Sequence, residues 1–178
     1  MLGAKFVVFG DTAMGTVPMV ARAKQLNVFL EPSPVHKRDL QEQLTAKLPS
    51  WFGKADSNAK YALQAEMLDG YVAESEGVPG GLLLLKQSSS VSAEIYWMAV
   101  DPVCHRFGIG RALVEAAVEA VRTRGVRYLF VATLHPEIPY EPYQRTRRFY
   151  EAMGFAYVLE EQFPADPESP LGYYLRQL

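Results

Sequence analysis

Two periods of apolar and polar positions divide the chain into strands and helices. Residues 5–9 (KFVVF) and 26–30 (LNVFL) suit short strands, with the loop GDTAMGT at 10–16 between them. After Pro32 and Pro34 the spacing becomes helical: Val35, Leu40, Leu44 and Leu48 predict a helix over 35–48. Ala59, Leu63 and Met67 on one face predict a second over 57–68. YVAES and LLLLK then form a hairpin around a turn at Glu76-Gly77, with Gly80-Gly81 as a bulge in its second arm. AEIYWMAV (93–100) is apolar on both faces from Ile95 onward, the pattern of a buried central strand.

Ile109, Leu113, Ala117 and Val121 line one side of a helix over 109–124, which Gly125 stops. RYLFVATL (127–134) reads as a second strand buried on both faces. A loop holding Pro136, Pro139 and Pro142 leads to a helix over 143–153, closed by Gly154, and FAYVLEE and GYYLRQ end the chain as strands. Strand, helix and strand in the middle imply a right-handed parallel unit. With hairpins on either side, the expected fold is a single α/β (mixed α+β) domain over residues 1–178. Its sheet is mostly antiparallel with a central parallel strand pair, helices cover both faces, and residues 1–25 remain an unplaced N-terminal extension.

Composition narrows the function. A chain of 178 residues that is 49% apolar has ample material for one core, and a net charge of −2 gives no basic surface for nucleic acid. The longest aliphatic run, Leu82 to Leu85, is far too short to cross a membrane, and Asp11 interrupts the apolar start that a signal peptide would need. Cys104 is the only cysteine, which excludes an internal disulfide and fits a reducing, cytoplasmic setting. His36, His105 and His135 lack the spacing of metal ligands, so no metal is expected.

The chemistry concentrates in CHRFGIGRAL (104–113), where Gly108 and Gly110 stand at the start of a helix. Glycine costs about 0.8–1 kcal/mol against alanine inside a helix, so two in the first turn suggest close approach of a ligand to the backbone. An anion suits the place, because a helix start offers unpaired N–H groups and partial positive charge. A dinucleotide fingerprint would need glycine or alanine where Leu113 stands. GDTAMGT has P-loop spacing but lacks the lysine before Thr16, which makes it an ordinary turn.

MAVDPVCHRFGIGRAL resembles the acyl-CoA-binding motif of the GNAT superfamily of N-acetyltransferases, Gln/Arg-x-x-Gly-x-Gly/Ala between a central strand and a helix. RRFYEAMGF resembles that family's second signature, a helix ending in Phe-Tyr-x-x-x-Gly-Phe. The resemblance implies acetyl-CoA as cosubstrate. Its pyrophosphate would be held by the backbone of Arg106, Phe107, Gly108, Ile109, Gly110 and Arg111, with side chains at 108 and 110 excluded because they would crowd it. The pantetheine arm would pair with the main chain of Met98, Ala99 and Val100 where two strands splay. His105 replaces the motif's first Gln or Arg, leaving Arg106 or Arg111 to supply charge. Tyr143 stands where the family often has Asn.

The resemblance also implies Tyr150 as the proton donor to the leaving sulfur and Glu94 as general base, with water as an alternative base. An N–H near Ala99 or Val100 would meet the oxyanion. The Arg145, Arg147 and Arg148 cluster reads as a solvated helix face, with an approach of one of them to the cofactor's phosphates as the alternative, and Trp51 lies in the region that shapes the family's acceptor pocket or else belongs to the core. Cys104 is a bystander. The implied activity is direct acetyl transfer to a primary amine of a small molecule or peptide, and a homodimer stays open. The alternative is a non-catalytic acyl-CoA-binding or sensing module, which would need neither Tyr150 nor Glu94.

Overall fold

The computed structural model describes residues 26–162, 166 and 168–178. The strand expected at 5–9 and the loop at 10–16 lie outside the described residues. In chain order the elements are β1 (Leu26–Leu30), α1 (Pro34–Ala46), α2 (Ala55–Met67), β2 (Asp69–Ser75), β3 (Val78–Gln87) and β4 (Ser92–Val100). They continue with α3 (Ile109–Thr123), β5 (Tyr128–Leu134), α4 (Glu141–Ala152), β6 (Ala156–Glu161) and β7 (Leu171–Gln177). The strands make one sheet in the order β1-β2-β3-β4-β5-β7-β6, antiparallel throughout except for β4 beside β5.

Each face of the sheet carries its own core. On one side Met98, Val100, Ile109, Leu113, Tyr150 and Phe155 pack together, joining β4 to α3 and α4. On the other, Leu40, Leu44, Tyr61, Ala65, Trp97 and Ala132 join the sheet to α1 and α2. The central strand β4 serves both, and a bulge sorts its residues: Trp97 pairs with Leu84 and Ile95 with Leu85, leaving Tyr96 as the extra residue.

Among the described residues the expected elements appear, with two helix faces corrected. Of the α1 stripe, Leu40, Leu44 and Leu48 are buried, but Val35 is 65% exposed. In α2 the stripe Ala59, Leu63 and Met67 faces solvent, with Met67 78% exposed, while Ser57, Tyr61, Ala62 and Ala65 are buried. Two helical stripes compete in this sequence. The winner holds Tyr61, whose ring meets Phe52 at 6.4 Å and Tyr96 at 6.1 Å. Aromatic burial of that kind outweighs a Leu and a Met that a short helix leaves wet.

The bulge predicted at Gly80-Gly81 is present: Ala73 pairs with Gly81 and Glu74 with Pro79, so Gly80 is the extra residue. Its purpose is close approach. A Cβ at Gly81 would lie 2.8 Å from Ile109 Cγ2 and 3.2 Å from the Ala99 carbonyl, and one at Gly80 would lie 2.8 Å from Ile109 Cδ1. The bare backbone lets the first turn of α3 rest directly on β3, which fixes the helix start beside the end of β4.

Candidate functional site

Strands β4 and β5 pair only at their beginnings, through Ser92 with Tyr128, Ala93 with Leu129 and Glu94 with Phe130. Farther on, β4 stays with β3 as far as Val100, and β5 with β7 as far as Leu134. The two central strands therefore part, and the edge of β4 from Ile95 to Val100 leaves its ladder with β5. Backbone groups on such an edge need other partners. His105 supplies one: its Nε2–H donates to the Val100 carbonyl at 2.9 Å. The residue at the motif's first position thus ties the loop back to β4.

The loop after β4 is built around Asp101. Its Oδ1 accepts from the Val103 N–H at 3.1 Å, its Oδ2 pairs with Lys47 Nζ at 2.5 Å, and its own N–H donates to the Gly80 carbonyl at 2.9 Å. Arg106 and Gly108 then take left-handed backbone angles, φ +68° and +81°. Such a conformation costs a residue with a side chain about 1–2 kcal/mol, so Arg106 is a point of local strain of the kind that clusters at functional sites. Gly108 is the helix cap and has no side chain to satisfy the first N–H groups of α3. The first helical bond runs from the Ala112 N–H to the Gly108 carbonyl, so the N–H groups of Ile109, Gly110 and Arg111 precede the helical ladder. A Cβ at Gly108 would meet no protein atom within 4 Å. Its backbone angle is therefore sufficient reason for the glycine.

A cleft of about 460 Å³ opens over this helix start. Val100, Arg106, Gly108, Ile109, Gly110 and Arg111 line it, so six of the expected contacts come together. Three do not: Met98 and Ala99 are wholly buried, and Phe107 is 58% exposed and off the lining. From α4 come Arg145, Arg148, Phe149 and Glu141, and Glu141 forms an i,i+4 pair with Arg145. Four arginines against one carboxylate, beside a helix start, suit a polyanion. The arginine cluster is therefore not a plain solvated face. Arg145 and Arg148, three apart, share the cleft side. Arg147 is buried and donates to the Leu134 carbonyl at 3.1 Å and the Pro136 carbonyl at 3.4 Å, satisfying the end of β5.

Tyr150 and Glu94 lie on opposite faces of the parted strands. Tyr150 is fully buried, edge-on to Phe149 and Phe155, and burial pushes its phenol well above the usual pKa. Its hydroxyl has no hydrogen-bond partner among the described residues, and neither does the buried Thr133 Oγ1 on β5, a group sequence reasoning did not single out. Glu94 is 3% exposed, not a solvated strand-end charge. Three phenols feel it: burial chiefly raises Tyr61, Tyr96 and Tyr173, and the charge of Glu94 adds to each.

On the Glu94 side lies a second pocket, of about 360 Å³, between residues 49–54, α2 and the start of α4. Trp51, Phe52, Tyr61, Tyr140 and Tyr143 are among its walls. Tyr143 lines this pocket and not the arginine-rich cleft. Its hydroxyl donates to the Trp51 carbonyl at 2.8 Å, the Tyr140 hydroxyl to the Ser50 carbonyl at 3.0 Å, and Trp51 Nε1–H to Thr146 Oγ1 at 3.3 Å. These bonds fasten the loop between α1 and α2 to α4. Tyr61 and Tyr140 escaped sequence reasoning, and the place of Tyr143 in this wall did too, because the pocket joins segments about 90 residues apart.

The sequence profile described as "Acetyltransferase (GNAT) domain" matches residues 68–157, just over half of the chain. No curated protein matches the chain in sequence. Among solved structures, a GNAT-family protein from Desulfovibrio desulfuricans superposes with a TM-score of 0.73 at 20% identity, covering 86% of this chain and 99% of that one. The ribosomal-protein-S18-alanine N-acetyltransferase of Escherichia coli gives a TM-score of 0.67 at 16% identity, covering 86% and 94%. A GNAT family acetyltransferase from Elizabethkingia anophelis with acetyl-CoA bound gives 0.64 at 14% identity, covering 86% and 98%. At these identities the likeness establishes the fold.

Proposed function

The chain belongs to the GNAT acetyltransferase family, and from that premise we propose that it moves the acetyl group of acetyl-CoA to a primary amine by direct attack. The observation that carries the reading is the arginine-rich cleft over the uncapped start of α3, where the strands part. The pyrophosphate sits against the N–H groups of 106–111, with Arg106, Arg111 and Arg148 balancing its charge. The pantetheine arm follows the edge of β4 that β5 leaves, past Met98, Ala99 and Val100, whose side chains face the cores while their main chain serves the ligand. Such edge pairing is β-augmentation with a non-peptide strand.

The acetyl group then reaches the gap between the two faces. On one side the Tyr150 hydroxyl, buried and without a hydrogen-bond partner among the described residues, meets the thioester sulfur. On the other, Glu94, directly or through water, takes a proton from the incoming ammonium. The amine nitrogen bonds to the carbonyl carbon, helped by a backbone N–H near Ala99 or Val100. The C–S bond breaks, and the sulfur takes the Tyr150 proton, which a proton shed by the amine replaces. A phenol with a raised pKa stays protonated at neutral pH, as a proton donor must before the step.

Release of coenzyme A thiol across a panel of amines tests this reading. Amine-dependent release is expected. Binding of acetyl-CoA without any amine-dependent release would point instead to a sensing module.

A further inference from the structure

We propose that Lys47 tunes the cofactor cleft for a polyanion by neutralising Asp101, a buried carboxylate behind the cleft wall. This rests on the transferase reading above and concerns only how acetyl-CoA is bound. Asp101 has a structural task in the loop after β4. Its Oδ1 accepts from the Val103 N–H at 3.1 Å, and its carbonyl accepts from the Cys104 N–H at 2.8 Å. Both bonds shape the short turn Pro102–Cys104 that carries the chain to His105 and Arg106. The Asp101 side chain is only 10% exposed, so water and salt screen its charge poorly.

The sign of that charge is wrong for its place. Val100 before Asp101, and Cys104, His105 and Arg106 after it, line the cleft over the start of α3. A carboxylate in the middle of that run repels the phosphates that the open N–H groups and the arginines attract. Lys47 compensates it from the other face of the sheet. It caps the end of α1, whose Leu40 and Leu44 belong to the core opposite α3, and its Nζ lies 2.5 Å from Asp101 Oδ2. Lys47 stands outside the cleft lining, so it acts on the cofactor through Asp101.

The same lysine heads the turn to Trp51 and Phe52, whose N–H groups both donate to the Leu48 carbonyl, at 3.0 and 3.1 Å. Tyr140 and Tyr143 fasten that turn to α4. A mechanical tie between the cofactor loop and α4 is therefore the competing role for the ion pair. Charge and tie predict opposite results when both partners are replaced together.

Calorimetry of acetyl-CoA binding to the full chain separates them. Lys47→Met should raise the dissociation constant about tenfold, the size expected of one uncompensated charge near a pyrophosphate. Lys47→Arg keeps the charge and should stay within about twofold of wild type. Asp101→Asn keeps an oxygen for the Val103 N–H and should bind as tightly as wild type or more tightly. Combining Lys47→Met with Asp101→Asn should bring the dissociation constant back to within about threefold of wild type. With an amine that turns over, Lys47→Met should raise the KM for acetyl-CoA and leave kcat within about twofold. A mechanical tie would instead weaken binding in every variant that lacks the ion pair, the double one included. That pattern, or unchanged binding by Lys47→Met, overturns this inference and leaves the transferase reading standing. A wild-type protein that binds no acetyl-CoA overturns both.

Discussion

The Tyr150 hydroxyl is buried without a hydrogen-bond partner among the described residues, so Tyr150→Phe removes an oxygen that bonds to none of them. Its melting temperature should stay level or rise slightly, because an unsatisfied buried group is itself a cost. If the phenol protonates the departing thiolate, kcat should fall by about 10²–10⁴-fold with the acetyl-CoA dissociation constant near wild type. The lower end is expected, because a thiol of pKa near 8.5 leaves moderately well unaided. A Phe variant within twofold of wild type, with chemistry rate-limiting, would reduce Tyr150 to a core aromatic. Glu94→Gln should lose rate mainly at low pH, where an acceptor amine of pKa near 10.4 is almost wholly protonated, and recover partly as pH rises. An unchanged pH–rate profile would make Glu94 a structural charge.

The start of α3 is held by β3 on one side and open to the cleft on the other, and the two sides call for different variants. Gly110→Glu should leave the fold intact and abolish acetyl-CoA binding, since it sets a carboxylate against a pyrophosphate. Normal binding by that variant, measured by calorimetry, would move the phosphate site elsewhere. Gly81→Ala acts from beneath: its Cβ would lie 2.8 Å from Ile109 Cγ2 and 3.0 Å from Leu113 Cδ1. Overpacking of this kind costs about 1–3 kcal/mol, readable by urea unfolding, and should weaken acetyl-CoA binding by tilting the helix start. The helix itself was legible because Ile109, Leu113, Ala117 and Val121 keep strict spacing and all four are buried. The face of α2 was not, because Leu63 and Met67 mimic a core stripe while Tyr61 and Ala65 do the packing. The phosphate loop could be read as glycines ahead of a helix, a local signal. The buried role of Arg147 and the turn of Tyr143 toward Trp51 depend on where α4 meets β5 and the loop at 49–54, which no local pattern encodes.

For the molecule as a whole, its buried phenols set an alkaline limit. Burial holds Tyr61, Tyr143 and Tyr150 neutral well above the usual phenol range, whereas in the unfolded chain they ionise near pH 10. A folded pKa raised above the unfolded one gives stability that is fully present below pH 10 and lost as pH climbs toward the folded value. Each such group costs about 1.4 kcal/mol per pH unit in that window, so three together cost about 4 kcal/mol per unit. From these three groups alone the unfolding free energy should fall by about 4 kcal/mol in total between pH 9 and 11, most of it above pH 10, and Tyr61→Phe should lessen the fall by about 1.4 kcal/mol; a flat profile would mean that the phenols are solvated. The two faces of the same molecule meet where β4 and β5 part, an arginine-lined cleft on one and an aromatic pocket on the other. That division of labour stands on acetyl-CoA occupying the cleft. Thermal unfolding with and without acetyl-CoA tests it most directly. A ligand that binds only the folded state adds about 2.7 kcal/mol at 100 times its dissociation constant, so a clear rise in melting temperature is predicted. No shift at millimolar acetyl-CoA would contradict it.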